Sequence, residues 1–448
     1  MNSERKARTS RLSRIEETVE LRGEPRSDAR TPRGRMTELS VLLFLEHSIL
    51  GAWSPLYQLH LRDLGFDGIQ IGTVYSTMAI ASIFAPWIVG HLADRVMPAQ
   101  WVMCICHLCG AALLWTVGSC TSYWSILLLM TLNAFAHMPT LALSNTIVFR
   151  NLADAQHEFG LVRLFGTSSW IVMALVVGYW ISRPAWLPIA AHATAVDSVY
   201  FAAVLSAILA VFCLMLPSTP PRREPGVVRI AAHGALRILR DRSALVLMLV
   251  TFILSLGFPF AYPLGGLFFR SLGVSDAAIS PWMSLGQVGE VFAFFFLSVI
   301  VRRLGFKTTF LLGVACWGLR FGIWALGGPW PLVVFAIILN GGCYAFVLGL
   351  GQIFVDRQSD PSTRASAQSM HQVVAFGFGM WLGNYLAGAM LDHFHRALPD
   401  GTMATDFTQV YLWPALSAAL CFIVVLLFFK TPKPREDRSA TRTDRLPV

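Results

Sequence analysis

From residue 37 onward, the sequence alternates long apolar stretches with short breaks that contain polar residues, proline or glycine. A helix that crosses a bilayer needs about 20 mostly apolar residues, and about twelve stretches meet this condition. Charged residues make up only 14% of the chain, against about 25% in soluble domains. We therefore predict an all-α membrane protein with spans at 37–60, 69–93, 99–119, 122–147, 159–182, 196–217, 243–270, 277–301, 306–327, 330–355, 363–391 and 406–430.

The longest polar interruption, residues 218–242, divides the predicted spans into two sets of six. It predicts a linker between an N-terminal six-helix bundle (37–217) and a C-terminal one (243–430). Residues 1–36 are rich in Arg, Ser and Glu and have no apolar core, which indicates a disordered tail rather than a signal peptide. A second short tail follows at 431–448. Basic residues gather in both tails, in the linker and in alternate loops, so the positive-inside bias predicts that both termini are cytoplasmic.

Two sets of six spans joined by a basic linker are typical of transporters built from two similar halves, which bind substrate near the bilayer midplane between them. A channel would more commonly show a re-entrant filter loop or a repeated ring residue, and the sequence shows neither. The net charge of +9 belongs to tails and loops, which argues against a nucleic-acid partner. No ATP-binding or catalytic motif is found. We expect no enzyme activity and no cofactor, with energy drawn from gradients.

The eight cysteines all fall inside or beside the apolar stretches, at positions 104, 106, 109, 120, 213, 316, 343 and 421. They show no paired spacing in a long external loop, so we expect no disulfide framework. The run from Cys104 to Cys109 has a spacing that could suggest a metal or redox site. Its neighbours are Val, Ile, Leu, Ala and Trp, and we interpret these cysteines as small packing residues with no metal site.

The loop between the second and third spans reads Gly90-His-Leu-Ala-Asp94-Arg95 and resembles the loop signature of the major facilitator superfamily. An Asp at such a position can stabilise a neighbouring helix N-terminus, while the Arg contacts the opposite carbonyls. The resemblance gives Gly90, Asp94 and Arg95 a conformational role rather than contact with substrate. It also implies the twelve-helix fold of that superfamily, with two pseudo-symmetric halves.

Longer stretches resemble the nucleoside:proton symporter family, the bacterial nucleoside permeases of that superfamily. They read DGIQIGTVYSTMAIASIF (67–84), FAHMPTLALSNTI (135–147), RLFGT (163–167), QVGE (287–290), LRFGIWALG (319–327) and RASAQSM (364–370). The resemblance covers about residues 37–430. It implies proton-coupled import of nucleosides across the bacterial inner membrane by alternating access. The expected partners are a nucleoside, a proton and the lipid bilayer, and we expect a monomer.

The fifth span carries polar side chains at helical spacing. A charge at mid-bilayer costs roughly 2.5–3.5 kcal/mol on insertion scales, so such residues commonly mark a pathway. Arg163, Thr167 and Trp170 are spaced i, i+4 and i+7 and share one helix face. A cation, a hydroxyl and an aromatic plate together can hydrogen-bond a nucleoside and stack on its base, and the resemblance places this face in the substrate cavity. Alternatively, Arg163 anchors the helix at the cytoplasmic rim while Trp170 only packs.

The eighth span carries Gln287 and Glu290, three residues apart on one face. An amide beside a carboxylate can bind a ribose diol or a base edge, and a carboxylate removed from water can carry a proton. These two residues are therefore predicted to bind substrate. The alternative is a structural ion pair of Glu290 with an arginine such as Arg163 or Arg320. We interpret Arg320, in the ninth span, as structural.

Two further spans depart from the family pattern. Ala345, beside the i, i+4 pair Asn340 and Tyr344 on the tenth span, stands where the resembled permeases carry an aspartate tied to proton coupling. In the seventh span, Pro259 and Tyr262 stand in a region where the family offers a glutamine and an asparagine to the substrate. The proline predicts a broken helix that lines a cavity. We include Asn340, Tyr344 and Tyr262 in the predicted substrate-binding set.

Because an alanine cannot titrate, proton coupling would need another group. Glu290 is the first candidate, since it lies beside the predicted substrate site. Glu46 in the first span is the second, because the family pattern has uncharged residues there. His47 and His371 could titrate near neutral pH, although a membrane histidine is more often a hydrogen-bonded packing group. The remaining alternative is a facilitator that uses no proton.

Two other functions stay open at this point. The losses of nucleoside-type polarity at Ala345 and Pro259 are compatible with a transporter of the same fold for a sugar, an aromatic acid or a drug-like compound. A non-transporting receptor or scaffold would be expected to carry a large soluble appendage, and the tails of this chain are short. Import of nucleosides remains the leading hypothesis.

Overall fold

The computed structural model describes residues 30–91, 97–183, 186–221, 237–359, 363–397 and 403–431. These residues form helices and one two-stranded antiparallel hairpin, which pairs His395–Ala397 with Met403–Thr405. Eleven helices of the described ranges are long and apolar enough to cross a membrane. The sixth predicted span also forms an apolar helix, Asp197–Cys213, whose 17 residues are at the short end of the range for a span. Twelve segments are therefore present where twelve are predicted.

We number these segments α1 to α12. The first six are α1 Arg33–Trp53, α2 Gly68–His91, α3 Ala99–Gly118, α4 Tyr123–Asn151, α5 Ala155–Ile181 and α6 Asp197–Cys213. A short helix, Tyr57–Asp63, continues α1 beyond Pro55. The next six are α7 Arg242–Ser255, α8 Asp276–Leu304, α9 Phe306–Leu326, α10 Trp330–Gln358, α11 at 364–393 and α12 Phe407–Phe428. Short 3-10 helices lie at Pro188–Ala190 and Arg237–Arg240.

The packing repeats with a shift of six helices. In the first half, α1 packs against α5 and α6, α3 against α4 and α6, and α2 against α4. In the second half, α7 packs against α11 and α12, α9 against α10 and α12, and α8 against α10. The halves meet through α2 with α11 and through α5 with α8, and these two pairs are related by the same shift. The predicted division into two pseudo-symmetric six-helix halves is confirmed.

Three helices of the second half are irregular. The predicted break in α7 is present: a short helix, Phe258–Ala261, and a further one, Pro263–Ser271, follow Ser255. In α10, π-helical residues Tyr344–Gly349 separate Asn340–Cys343 from Leu350–Gln358. In α11, the π-helical residues are Val373–Gly379. Such π turns are rare and often occur at functional sites.

Some predicted boundaries shift or lie outside the described residues. The first helix begins at Arg33, just after Pro32, so the predicted tail 1–36 is too long by a few residues. Proline favours a position before the first full helical turn, where no intrahelical N–H bond is lost. Gly90 lies near the end of α2, whereas Asp94 and Arg95 of the predicted loop motif lie outside the described residues. So do most of the linker and residues 1–29 and 432–448.

Large apolar side chains cover the outside of the helical bundle. Trp124, Leu108, Phe295 and Leu420 are each more than half exposed, and many other Leu, Ile and Phe side chains are similarly placed. Such an apolar surface is unfavourable in water and favourable against lipid chains. The polar side chains that matter for function are therefore those inside the bundle.

Candidate functional site

Tyr262 lies at the break in α7 and joins three elements of the second half. Its hydroxyl oxygen accepts hydrogen bonds from Gln287 Nε2 of α8 and Asn340 Nδ2 of α10, each at 3.2 Å. Both amide side chains are buried. Because the hydroxyl is the acceptor in both bonds, its own hydrogen stays available for another acceptor. Three of the predicted substrate-binding residues are thus in direct contact.

Arg320 of α9 holds the Asn340 side chain in its position beside Tyr262. Its side chain is buried, donates from an Nη atom to Asn340 Oδ1 at 2.7 Å, and lies 4.8 Å from the ring centroid of Trp324. The bond to Oδ1 turns the amide NH₂ of Asn340 towards Tyr262. A pocket of about 10 Å³ lies between these residues, which is room for about one water molecule. The geometry agrees with the interpretation of Arg320 as structural.

Trp170 of α5, in the first half, lies next to Tyr262 of the second half. Its ring lies 6.5 Å from that of Tyr262, with a 64° angle between the planes. The close approach of α5 and α1 depends on Gly51, where an added Cβ would lie 3.1 Å from Trp170 Cα. The indole of one half and the phenol of the other therefore face each other across the interface. Edge and face contacts of this kind suit a site that accepts a flat ring.

Arg163 and Glu290 lie within electrostatic range of each other, on α5 and α8 respectively. Within the described chain they form no ion pair shorter than 4.0 Å, and one Nη atom of Arg163 is buried without a hydrogen-bond partner. Thr167, on the same face of α5, is half-buried, as are both charged residues. The alternative of a structural ion pair for Glu290 is therefore not what the structure shows.

An aromatic wall adjoins these polar groups. Tyr344, in the π turn of α10, lies 5.1 Å from Phe258 and 6.4 Å from Phe376 between ring centroids. Phe258 and Phe376 stack at 5.9 Å. Ala345, the next residue, is completely buried and offers no polar atom beyond its backbone. All the predicted substrate-binding residues except Thr167 thus have a described side-chain contact or charge interaction within one region.

One end of the bundle, where α1 ends and α2 begins, is held closed by polar contacts between the halves. Arg270 forms ion pairs with Asp63 of the first half and Asp276 of the second, each at 2.6 Å. The backbone N–H of Gly68, at the start of α2, donates to Asp392 Oδ1 at 2.5 Å. An added Cβ at Gly68 would clash with the backbone of α11. These contacts define the closed end.

The hairpin contributes one more contact at the closed end. Arg62 donates from an Nη atom to His395 Nε2 at 3.1 Å. Partial burial, together with the charge of Arg62, lowers the pKa of His395. A neutral imidazole keeps Nε2 as an acceptor for the guanidinium. The hairpin was not predicted, because three-residue strands give almost no periodic signal.

Glu46 lies elsewhere, fully buried inside the first half. Its carboxylate contacts His107 Nε2 of α3 at 2.9 Å and accepts a bond from the Thr140 hydroxyl of α4 at 2.6 Å. His137 of α4 lies close by. The sequence interpretation missed His107 and His137, although an acidic residue inside a span signals the need for a partner in another span.

Most of the chain matches a known protein family. A family model described as "Nucleoside H+ symporter" matches residues 34–434. The chain belongs to the nucleoside H⁺ symporter family. The chain is 30% identical to the putative nucleoside transporter YegT of Escherichia coli over 401 residues, covering 88% of this chain and 93% of that one. It is 29% identical to the xanthosine permease of the same organism, covering 87% and 94%.

Solved structures agree with this family. The nucleoside transporter NupG superposes with a TM-score of 0.77 and 27% identity, covering 89% of this chain and all of that one. A D-xylose-proton symporter superposes with a TM-score of 0.63 at 14% identity, which concerns the fold alone. The family member is an integral membrane protein with the major facilitator fold. The family, the fold and the transporter class predicted from the sequence are confirmed.

Proposed function

We propose that this family member imports nucleosides together with protons across the bacterial inner membrane, acting as a monomer with both termini in the cytoplasm. The observation that carries the proposal is the meeting of Trp170 from the first half with Tyr262, Gln287 and Asn340 from the second. A site shared between two pseudo-symmetric halves is where alternating-access transporters bind substrate. With cytoplasmic termini, the closed end faces the periplasm, so the structure corresponds to an outward-closed state.

The site offers the complementary groups of a nucleoside. Trp170 and Tyr262 provide aromatic faces and edges against which a base can stack. The free hydrogen of the Tyr262 hydroxyl can donate to a base or ribose oxygen. The Arg163 guanidinium can donate to carbonyl oxygens of the base, and the Glu290 carboxylate can accept from ribose hydroxyls. Neither charged group has an ion-pair partner in the described chain, so both remain free for these bonds.

Glu290 is the carboxylate best placed to couple the proton. It lies on the second half and faces Arg163 on the first, so their attraction favours one arrangement of the halves while Glu290 is ionised. Protonation removes that attraction and shifts the balance between conformations. Ala345 cannot take this role. Glu46, the second candidate, lies inside one half and does not face the other.

The test is uptake of radiolabelled uridine or adenosine into proteoliposomes, with and without an imposed inward proton gradient. We expect the wild type to accumulate nucleoside above equilibrium, and Glu290→Gln to retain downhill exchange but lose accumulation. Glu38→Gln is the matched control, since Glu38 is a partly exposed carboxylate whose ion-pair partner among the described residues is Arg35 on the same helix. Undiminished uphill uptake by Glu290→Gln would remove this residue from the coupling mechanism.

A second solute class has one observation in its favour, the aromatic wall of Phe258, Tyr344 and Phe376 beside the site. Phe258 belongs to the α7 region in which the family pattern offers amides, and the apolar surface of the wall would suit a more apolar nucleoside or an aromatic acid. Competition against bound labelled nucleoside decides between them. We expect unlabelled uridine, adenosine or xanthosine to displace the label at concentrations at which sugars and aromatic acids do not.

A further inference from the structure

A second polar cluster lies inside the first half, away from the candidate site. It consists of Glu46 on α1, His107 on α3 and His137 on α4, whose side chains are 0%, 1% and 4% exposed. One side-chain oxygen or nitrogen of each lies within 4.8 Å of the others. A charge in such a position is strongly unfavourable unless it is paired. The hydrogen bonds around the cluster show how it is neutralised.

The hydroxyl of Ser206 on α6 fixes the tautomer of His107. It donates its single hydrogen to the backbone oxygen of His107 at 2.8 Å. It can therefore only accept from His107 Nδ1, which lies 3.3 Å away, so Nδ1 carries a hydrogen. A neutral imidazole carries a hydrogen on one nitrogen only, which would leave a lone pair on Nε2. That lone pair would face the Glu46 Oε2 atom at 2.9 Å.

Two acceptors do not lie at 2.9 Å unless a hydrogen bridges them. We propose that Glu46 and His107 together bind one additional proton inside the first half. The pair is neutral with that proton, whether the proton is on the carboxylate or on the imidazole. Without it, a buried anion would remain. A tetrahedral metal ion, held at about 2.0–2.2 Å from each atom, would keep the two atoms further apart, so the separation favours a proton.

None of the titratable groups around the pair is a lysine or arginine that neutralises the Glu46 carboxylate in the described residues. The additional proton therefore balances its charge. His47 on α1, Cys106 on α3, His137 on α4 and Cys213 on α6 face it. The guanidinium of Arg163, on α5, is within range of His47. No Lys or Arg among the described residues forms an ion pair with Glu46.

His137 and His47 connect the cluster electrostatically with Arg163 of the candidate site. The Nε2 atom of His137 is buried and has no hydrogen-bond partner in the part of the chain that the structure describes. His47 is within electrostatic range of both His137 and Arg163. A change in the charge of the cluster therefore changes the electrostatic potential at the helix face that lines the candidate site. The proton site itself does not depend on which solute is transported.

The stability of the purified protein against pH tests the proton directly. Free glutamate and histidine side chains bind almost no proton above about pH 7.5, whereas the folded pair holds one. Because the folded state binds more protons, its stability falls as pH rises, by a factor of ten in the folding equilibrium per pH unit for this proton. In Glu46→Gln the amide can itself donate to His107 Nε2, so no extra proton is needed.

We expect the thermal midpoint of the wild type in detergent to fall between pH 7.5 and 9 relative to that of Glu46→Gln. The double variant Glu46→Gln/His107→Gln, which leaves no carboxyl group in the pair, should show the same flatter profile. His371→Gln is the matched control, because His371 is a buried histidine of α11 outside the cluster and should keep the wild-type slope. The readout uses no substrate, so it stands whether or not nucleoside uptake is found.

Two results would overturn the proposal. Parallel pH profiles for the wild type, Glu46→Gln and Glu46→Gln/His107→Gln would show that the pair holds no additional proton. A rise in the wild-type midpoint on adding Zn²⁺, lost in both His107→Gln and His137→Gln, would show that the cluster is a metal site instead.

Discussion

Two polar clusters lie within the membrane-spanning bundle of this symporter, and they meet the cost of burial in opposite ways. Around Glu46, both carboxylate oxygens are hydrogen-bonded, and the partners come from helices of one half. Around Glu290 and Arg163, the charges face each other across the two halves, and a buried Nη atom of Arg163 has no hydrogen-bond partner in the described residues. The carboxylate of the first cluster is hydrogen-bonded at both oxygens, although the neighbouring His137 Nε2 has no partner in the described residues, whereas the guanidinium of the second cluster keeps a buried nitrogen without a partner.

The difference in hydrogen bonding follows from the motion of the two halves, which move relative to each other during transport. Within one half the helices keep their packing through a transport cycle, so a buried charge there can have permanent partners. Between the halves the packing changes, so permanent partners would resist the change of state. A charge kept without a close partner at such an interface is available for a ligand, and its pairing can differ between states. We therefore propose the cluster of Arg163 and Glu290 as the binding site, and not the cluster around Glu46.

The largest expected effect comes from removing His107, the hydrogen-bond partner of Glu46. His107→Leu leaves Glu46 buried without its partner, and such a loss costs about 3–5 kcal/mol. We expect a large fall in the thermal midpoint of the purified protein. The double variant Glu46→Leu/His107→Leu removes both polar groups and should recover most of the loss. Equal midpoints for the single and double variants would show that Glu46 does not depend on His107.

Arg163→Gln should act on binding and leave stability unchanged. A hydrogen bond to a charged group contributes about 1.5–3 kcal/mol, which corresponds to about ten- to hundredfold in affinity. We expect KM for nucleoside uptake to rise by this factor with an unchanged thermal midpoint, because an Nη atom of this residue has no hydrogen-bond partner in the described structure. Arg302→Gln, at the exposed end of α8, is the matched control. A fall in midpoint with unchanged KM would make Arg163 a structural residue.

The sequence predicts the fold and the cluster of Arg163 and Glu290, but it does not predict the partner of Glu46. The fold follows from segment length and from the two sets of six, and the convergence of Arg163, Trp170, Gln287 and Glu290 follows from helical spacing with the family resemblance. The partner of Glu46 does not follow, because helix spacing says nothing about which residue of another helix faces it. His107 stands in an apolar run between cysteines, where packing is the simpler interpretation. Only the three-dimensional packing of α1, α3 and α4 brings them together.

The smallest expected effect comes from Tyr262→Phe, which keeps the ring and removes the hydroxyl between Gln287 and Asn340. One neutral hydrogen bond contributes about 1 kcal/mol, or roughly fivefold in affinity. We expect KM to rise about fivefold while the stacking of the base on the ring is kept. Tyr411→Phe is the control, because that buried hydroxyl has no hydrogen-bond partner in the described residues and its loss should leave KM unchanged. An unchanged KM for Tyr262→Phe would place the ligand on the Arg163 side of the site alone, so that the second half would contribute only Glu290.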